Sequence, residues 1–258
     1  MVRSRTIDAR GPELLDRGVL LQPVADSLPR AVLRPATGNV FETTVEQLAT
    51  AIRLGVLRDG ELLPPERDLA EQLGVSRNTL REAIAALRDS GLVTTRRGRG
   101  GGSVVTYTAP TPGEVPTARS GAALADAMDF RRIVEPGAAS LAASRALAAD
   151  QRAWLEQALD EVTEAPDEAA HRLADSRLHL AIATVAGSPM LIEAVTRAQA
   201  ALAELLAAIP VLRRNIDHSN AQHEAVVRAI LDGDAEQARR TMEEHCDATA
   251  ALLRGLIG

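Results

Sequence analysis

The sequence has 258 residues, of which 46% are hydrophobic and only 2% are aromatic. This length is sufficient for two ordinary domains, and a core of Ala, Leu, Val and Ile favours packed helices over sheets, so a mainly α fold is predicted. The single cysteine, Cys246, excludes an internal disulfide. Neither a signal-peptide pattern nor an apolar run of about 18 residues marks a secreted or membrane-spanning protein, and we expect a cytoplasmic one.

The net charge of −6 conceals an uneven distribution along the chain. Residues 1–110 contain 15 arginines and 13 acidic residues, whereas residues 111–258 contain 14 arginines and 22 acidic residues. The basic surplus is concentrated in residues 76–99, which hold six arginines against two acidic residues. A basic segment on an acidic protein indicates a local contact with a polyanion; the alternative is a solvated helix face.

Residues 1–40 show no sustained apolar period and contain four prolines. This composition predicts a flexible N-terminal extension. Within it, a short strand could form only near Val19–Leu21 or Val32–Leu33.

Residues 41–108 have the element order of a winged helix-turn-helix. A helical apolar pattern begins at Thr43, a second helix begins at Pro65, and a third follows Ser76 as its N-cap and ends at Gly91. The next stretch, LVTTRRGRGGGSVVTY, is typical of two short strands around a turn rich in Gly and Arg.

The start of the third helix carries side chains that suit DNA. Arginine can bridge the two acceptors of guanine and asparagine can pair with adenine, while hydroxyls and helix N-terminal amides suit phosphates. The tip of the wing combines positive charge with the backbone freedom of glycine, as a minor-groove or phosphate contact requires. The candidate contacts are Ser76, Arg77, Asn78, Thr79 and Arg81 on the helix, and Arg97, Gly98 and Arg99 at the wing tip. An alternative for Arg81 is an ion pair with Glu82 or Asp89.

Residues 41–106 closely resemble the DNA-binding domain of the GntR superfamily of bacterial regulators. The motifs that carry the resemblance include Gly55-x-Leu57-x-x-Gly60, Leu63-Pro64, Glu66-Arg67, Gly74-Val75-Ser76-Arg77, Arg81-Glu82-Ala83 and the Gly-rich wing. The resemblance implies that Arg67, Arg77 and Arg81 contact DNA, with support from the wing. The sequence departs from the family at Pro65, where Ser is usual, and at Gly101-Gly102-Ser103, which replaces a Thr-Phe pair.

Residues 109–118, APTPGEVPTA, contain three prolines and a glycine, and are predicted to be a linker. Everything from residue 119 to residue 258 has a helical pattern, which predicts an all-helical antiparallel bundle. The pattern is interrupted at Ala165–Asp167, Gly187–Pro189, Pro210 and Asp232–Asp234.

One helix of this bundle carries an acid and a histidine one turn apart. Asp175 and His179 lie in RLADSRLHLAIATVAGSPM, side by side on one helix face. His223 and His245 flank the break at Gly233 by ten and twelve residues, about 15 and about 18 Å along their helices, and so come nearly level on an antiparallel pair. Three imidazoles and one carboxylate suit zinc, nickel, iron or manganese. The alternative is that these residues are independently satisfied or solvated.

The helical half resembles the FCD subgroup of the same superfamily, named for the C-terminal ligand domain of its fatty-acid-responsive regulator. The subgroup's motifs occur here as Asp175-x-x-x-His179, Ser219-x-x-Gln222-His223, Ala229-Ile230-x-x-Gly233-Asp234-x-x-x-Ala238 and Met242-x-x-His245. The resemblance implies that Asp175, His179, His223 and His245 are metal ligands. Gln222 and Ser188 replace the usual Glu and Asn without touching this set. His171 and His218 match no ligand position.

The segment FRRIVEPGAASLAA resembles the opening helix of the FCD domain, with Arg131 and Glu135 matching its R-x-x-L-E pattern. In relatives this arginine can reach the cavity, where it would suit a carboxylate. The alternative is an Arg131–Glu135 pair on the dimer surface. Arg214 is a second, weaker effector-binding candidate.

These resemblances together imply a homodimeric transcriptional regulator, and a repressor is the commoner form in the family. Each protomer would bind one half-site of a palindromic double-stranded operator. The effector would be a small carboxylate at a divalent metal, with zinc ahead of nickel, iron and manganese. Neither an enzyme nor a membrane protein is expected. Two alternatives are a metal-dependent hydrolase and a repressor whose metal is purely structural.

Overall fold

The computed structural model describes residues 27–35, 40–98, 101–108, 121–207 and 213–257, with side-chain detail missing at a few of their ends. Over these residues the protein has ten α-helices and one two-stranded sheet. The prediction of a mainly α protein is confirmed. The predicted linker and Pro210 lie outside the described residues.

The winged helix-turn-helix forms as predicted. The side chain of Ser76 accepts a hydrogen bond from the Thr79 amide at 3.0 Å and caps the third helix of the domain. Gly74 ends the preceding helix in the left-handed conformation, with φ of 64°. The two wing strands pair antiparallel, with Val93 opposite Val105. The elements are α2 (Val40–Arg53), α3 (Glu66–Leu73), α4 (Arg77–Asp89), β1 (Val93–Arg96) and β2 (Gly102–Val105).

The prediction of a flexible extension over residues 1–40 is wrong for residues 27–35. Residues Ser27–Val32 form helix α1, so the strand considered at Val32–Leu33 is also wrong. The side chains of Leu28, Val32 and Leu33 are buried and pack into the core of the winged domain. A helix of six residues is too short to be stable by itself, so packing against the rest of the protein determines its conformation. Val19–Leu21 lie outside the described residues.

In the described part of the C-terminal half, six helices form the bundle, and their ends fall close to the predicted breaks. The break between the first two helices, around residues 144–148, was not predicted, because alanine-rich sequence continues across it. The helices are α5 (Gly121–Ala143), α6 (Ala149–Thr163), α7 (Glu168–Val185), α8 (Pro189–Leu206), α9 (Arg213–Asp232) and α10 (Ala235–Ile257).

The apolar core does not stop at the boundary between the two domains. Leu180 of α7 and Ile192 and Val195 of α8 belong to the same cluster of buried side chains as the winged domain. A separate cluster fills the interior of the bundle, with Leu155, Leu178 and Val226 among its members. None of the described helices is long and apolar enough to cross a membrane.

Candidate metal centre and DNA-reading helix

Three helices of the bundle bring the four predicted ligands together. Asp175 and His179 lie on α7, His223 on α9 and His245 on α10. The chain reverses at Gly233, where φ is 76°, and this turn brings the two histidines of α9 and α10 to the same depth. One ligand atom from each of the four residues lies within 4.8 Å of the other three.

The distances within this cluster fit a single transition-metal ion. His223 Nε2 lies 3.3 Å from His179 Nε2 and 3.3 Å from Asp175 Oδ1, while His179 Nε2 lies 4.0 Å from Asp175 Oδ2. Ligand atoms about 2.0–2.1 Å from a tetrahedral metal are about 3.3 Å apart. The donor set, three imidazoles and a carboxylate, is one that such ions accept.

Partner groups orient two of the three imidazole rings. Nδ1 of His179 lies 2.9 Å from Glu135 Oε2, although the ring is turned away from the line of a well-directed hydrogen bond. Nδ1 of His245 lies 3.3 Å from Gln222 Oε1. For both rings, Nε2 is therefore the nitrogen left for a metal. Nδ1 of His223 has no partner among the described residues.

Burial favours the neutral, metal-binding form of two imidazoles, those of His223 and His245. It lowers the pKa of His223 to about 4. Burial also lowers the pKa of His245 well below its usual value, and the neighbouring His223 adds to this effect. Neutral imidazole is the ligand form, so protons do not compete strongly for these nitrogens near neutral pH.

Arg131 lies beside this cluster and is buried, with only 1% of its side chain exposed. Its Nε donates a hydrogen bond to Glu135 Oε2 at 3.0 Å, and the carboxylate is 1% exposed as well. The alternative of an ion pair on the protein surface is therefore wrong. Burial by itself raises the pKa of Glu135, but the positive charge of Arg131, the neighbouring His179 and the hydrogen bond from Gln199 together outweigh burial and lower this pKa to about 2.

The outer nitrogens of Arg131, Nη1 and Nη2, have no hydrogen-bond partner in the part of the chain described. Arg131 lines an open pocket whose empty volume is about 640 Å³ including its mouth, and Asp175 and His245 line the same pocket. A buried guanidinium with two unused donor groups is costly as long as nothing accepts hydrogen bonds from them. The side chain of Arg214 lies outside the described residues.

Three residues around this pocket had no distinguishing pattern in the sequence. Gln199 donates to Glu135 Oε1 at 2.6 Å and helps to fix the carboxylate. His171 Nε2 lies 3.0 Å from Asn220 Oδ1. Arg172 lines the pocket and donates to the Leu206 carbonyl. Each lies in an ordinary helical segment, so only the packing of helices reveals its position.

The predicted DNA contacts share the exposed surface of α3, α4 and the wing. Arg77 and Asn78 are exposed at the start of α4, and Ser76 and Thr79 form the cap beside them. Asn78 Nδ2 donates to Glu82 Oε1 at 2.8 Å. Arg97 and Gly98 are exposed at the wing tip, where Gly98 has φ of 105°. Arg99 lies outside the described residues.

Two arginines of this surface are held by carboxylates. Arg81 Nε donates to Glu66 Oε2 at 2.7 Å, so the alternatives of Glu82 and Asp89 as its partner are wrong. Arg67 Nε donates to Asp68 Oδ1 at 2.9 Å. The arginine side chains are 65% and 73% exposed, and an exposed pair is worth only about 0–1 kcal/mol, so a phosphate or base can replace either carboxylate.

An exposed helix with a basic wing, joined to a helical domain that contains a pocket with buried polar side chains, defines a DNA-binding protein with a separate helical domain. The chain belongs to the gntR family of bacterial regulatory proteins, which matches residues 41–102, and the FCD domain matches residues 126–248. It is a transcriptional regulator and not an enzyme, like the relatives described next.

The chain is 36% identical over 214 residues to RmpR of Mycobacterium gastri, named as an HTH-type transcriptional regulator, over 79% of this chain and 76% of the relative. It is 33% identical over 211 residues to a protein of Escherichia coli K12 named as an L-lactate dehydrogenase operon regulatory protein, over 73% of this chain and 76% of the relative. The solved structure of Escherichia coli McbR/YncC covers 85% of this chain and 99% of its own, with a TM-score of 0.53 and 19% identity, which supports the fold alone.

Proposed function

We propose that the protein is a homodimeric repressor whose operator affinity is controlled by a small organic acid. The acid would bind in the Arg131 pocket, beside a divalent transition metal held by Asp175, His179, His223 and His245. The observation that carries the proposal is the pair of unpartnered, buried Nη groups of Arg131 at this pocket. A carboxylate accepts two parallel hydrogen bonds from such a guanidinium, and the charge of each group compensates the other.

The four ligands leave a role for the acid at the metal. Zinc, the first candidate, would supply a positive charge and would have to accept a carboxylate oxygen as a fifth ligand beyond the four from the protein. Glu135, which also accepts a hydrogen bond from Gln199, holds Arg131 through Nε and so leaves the two Nη groups for a ligand. The sensor site therefore consists of a metal on one side and a fixed guanidinium on the other.

The reading helix accounts for the other half of the function. Arg77 and Asn78 at the exposed start of α4 suit base edges, and Arg67 and Arg97 suit the phosphates on either side. A homodimer would present two such helices to the two halves of a palindrome. A ligand changes the operator affinity only if it binds the two relative arrangements of the domains unequally.

The metal is tested by elemental analysis of the purified protein. His223→Ala should lower the bound metal to a small fraction of the wild-type content, because it removes a central ligand. The matched control is His218→Ala, which removes an exposed histidine outside the cluster and should keep the metal. Full metal content in His223→Ala would overturn the ligand assignment.

The effector is tested by calorimetry of the zinc-loaded protein with a panel of small carboxylates. The name of the Escherichia coli relative makes 2-hydroxy acids the first members of the panel. The affinity of the Arg131→Met protein for the acid that binds should be at least about tenfold lower than that of the wild type. This loss is smaller than the full binding free energy of two charge-assisted hydrogen bonds. Arg132→Met should leave binding unchanged, because Arg132 pairs with Glu243 and Asp247 on the surface. Absence of heat with every acid would favour a purely structural metal.

A further inference from the structure

Helix α7 presents its two sides to two different parts of the protein. Asp175 belongs to the metal cluster, and Arg177 follows two residues later, about 200° further around the helix. The Arg177 guanidinium lies 3.0 Å from Glu161 Oε2 of α6, and Arg58 Nη2 lies 2.9 Å from Glu161 Oε1. Arg58 belongs to the winged domain, so Glu161 is shared between an arginine of each domain.

The winged domain lies directly against this side of α7. A Cβ atom added at Gly55 would come within 2.8 Å of Arg177 Nη1 and 3.2 Å of Leu173 Cβ. Gly55 also has φ of 68°, so the loop after α2 depends on glycine both for its conformation and for its approach to α7. Leu180, about one turn after Arg177 on α7, is buried in the apolar cluster that includes the core of the winged domain.

Helix α1 connects the same two domains at a second place. From the winged domain, Gln72 Nε2 donates to the carbonyls of Pro29 at 2.9 Å and Leu33 at 3.3 Å. On the other side, Arg34 Nη1 donates to the Pro189 carbonyl at the start of α8, at 2.7 Å. The Arg34 amide also donates to Gln47 Oε1 of α2 at 2.8 Å. The segment 27–35 is therefore bonded to both domains at once.

We propose that these contacts form a junction, made of α1 together with Arg58, Glu161 and Arg177, that holds the reading domain on the sensor domain in one orientation. A change at the metal cluster would reach the winged domain through α7, whose two sides contact the two regions. This inference concerns the regulation of the proposed sensor site and rests on the proposed function. Arg77 stays exposed in this arrangement, so the junction sets the placement of the reading helix and not its accessibility.

The charges make the junction easy to open. One carboxylate accepts hydrogen bonds from both guanidinium groups, so loss of the Glu161 charge leaves Arg58 and Arg177 close together without their shared partner. The side chains of Arg58 and Glu161 are 48% and 24% exposed, so water partly screens the pair between the domains and reduces its contribution to stability. A weak contact between two packed domains can form or break without unfolding either domain. The junction is therefore suited to have two states, closed and open.

Hydrogen–deuterium exchange of the full-length protein tests the junction without metal or acid. Glu161→Arg should speed exchange in peptides covering residues 27–35 and 52–60 by at least about tenfold, because the junction opens more often. Peptides of α9 near residue 226, which lie in the bundle core, should exchange as in the wild type and report that the fold is intact. Glu156→Arg makes the same charge change on an exposed face of α6 and should have no effect.

Exchanging the charges across the domains provides the rescue. The double variant Arg58→Glu with Glu161→Arg again places one acid among two arginines and should restore slow exchange to within about twofold of the wild type. Unchanged exchange at residues 27–35 in Glu161→Arg, or no rescue in the double variant, would overturn the junction. Neither result depends on whether an acid binds at Arg131, so failure of this inference is distinct from failure of the proposed function.

Discussion

At the scale of single residues, burial gives Arg131 and His223 their chemistry. An Arg131–Glu135 pair with the same helical spacing would be a minor surface contact if it were exposed, but at 1% exposure it is a fixed charge with two donors unused. For His223, burial lowers the pKa and so favours the neutral imidazole, the form that can bind a metal. The spacing of these residues is visible in the sequence. Their exposure is not, because it depends on which helices pack over them.

The depressed pKa of His223 predicts how the metal-free protein responds to acid. The imidazole of His223 has a pKa of 6.5 in the unfolded chain and of about 4 in the folded protein. Between these two pH values the unfolded chain binds a proton that the folded protein does not. The free energy of unfolding should therefore fall as the pH drops below 6.5, by about 2 kcal/mol between about pH 7 and about pH 5.

Urea unfolding of the metal-free wild type and of His223→Asn at these two pH values measures this effect. The asparagine variant should lose less stability between them, because it has no imidazole to protonate at that position. An equal loss in the two proteins would assign the acid sensitivity to other groups.

On the reading helix, Arg77 both matches a DNA-contact position of the family motif and is exposed to solvent. Arg77→Ala should weaken operator binding by about 1–3 kcal/mol, measured by gel shift at fixed salt. Arg88→Ala, at the far end of α4, should bind almost as the wild type does. Unchanged affinity in Arg77→Ala would contradict the docking of α4 in the major groove.

At the scale of elements, the bundle follows its local signals and α1 does not. Gly187 and Pro189 mark the end of α7 and the start of α8. The reversal at Gly233 explains why the spacing of His223 and His245 placed them nearly level, although only the resemblance to the FCD subgroup singled them out as ligands. Helix α1 contains Pro29 and follows no long apolar period, so its sequence resembles a loop. Its structure comes from contacts with helices far away in the sequence.

Burial of Leu33 gives α1 a measurable role in stability. The side chain is 1% exposed, so Leu33→Ala should lower the free energy of unfolding by about 2–4 kcal/mol. Met190→Ala, at a side chain that is 83% exposed, should change it little. Chemical denaturation of the wild type and the two variants measures both effects. If Leu33→Ala had the same free energy of unfolding as the wild type, residues 27–35 would be a flexible extension after all.

At the scale of the whole molecule, the distribution of charge separates the two domains, whereas the apolar core joins them. The basic surplus lies on α4 and the wing, and the acidic surplus lies in the sensor half. The apolar core, however, runs from the winged domain through α1 into α7 and α8. The two domains and their family could be inferred from sequence motifs, but their contact could not, because Arg58, Glu161 and Arg177 belong to no motif and are 103 and 16 residues apart.

In the proposed function, an acid bound in the C-terminal domain controls the affinity of the winged domain for DNA. This control is tested most directly by titrating a fluorescent operator fragment with zinc-loaded and with chelator-stripped protein, each with and without the acid found by calorimetry. We expect the acid to weaken operator binding by at least about tenfold, a coupling of about 1.4 kcal/mol, in the zinc-loaded protein only. Operator affinity that is the same under all four conditions would contradict the proposed function.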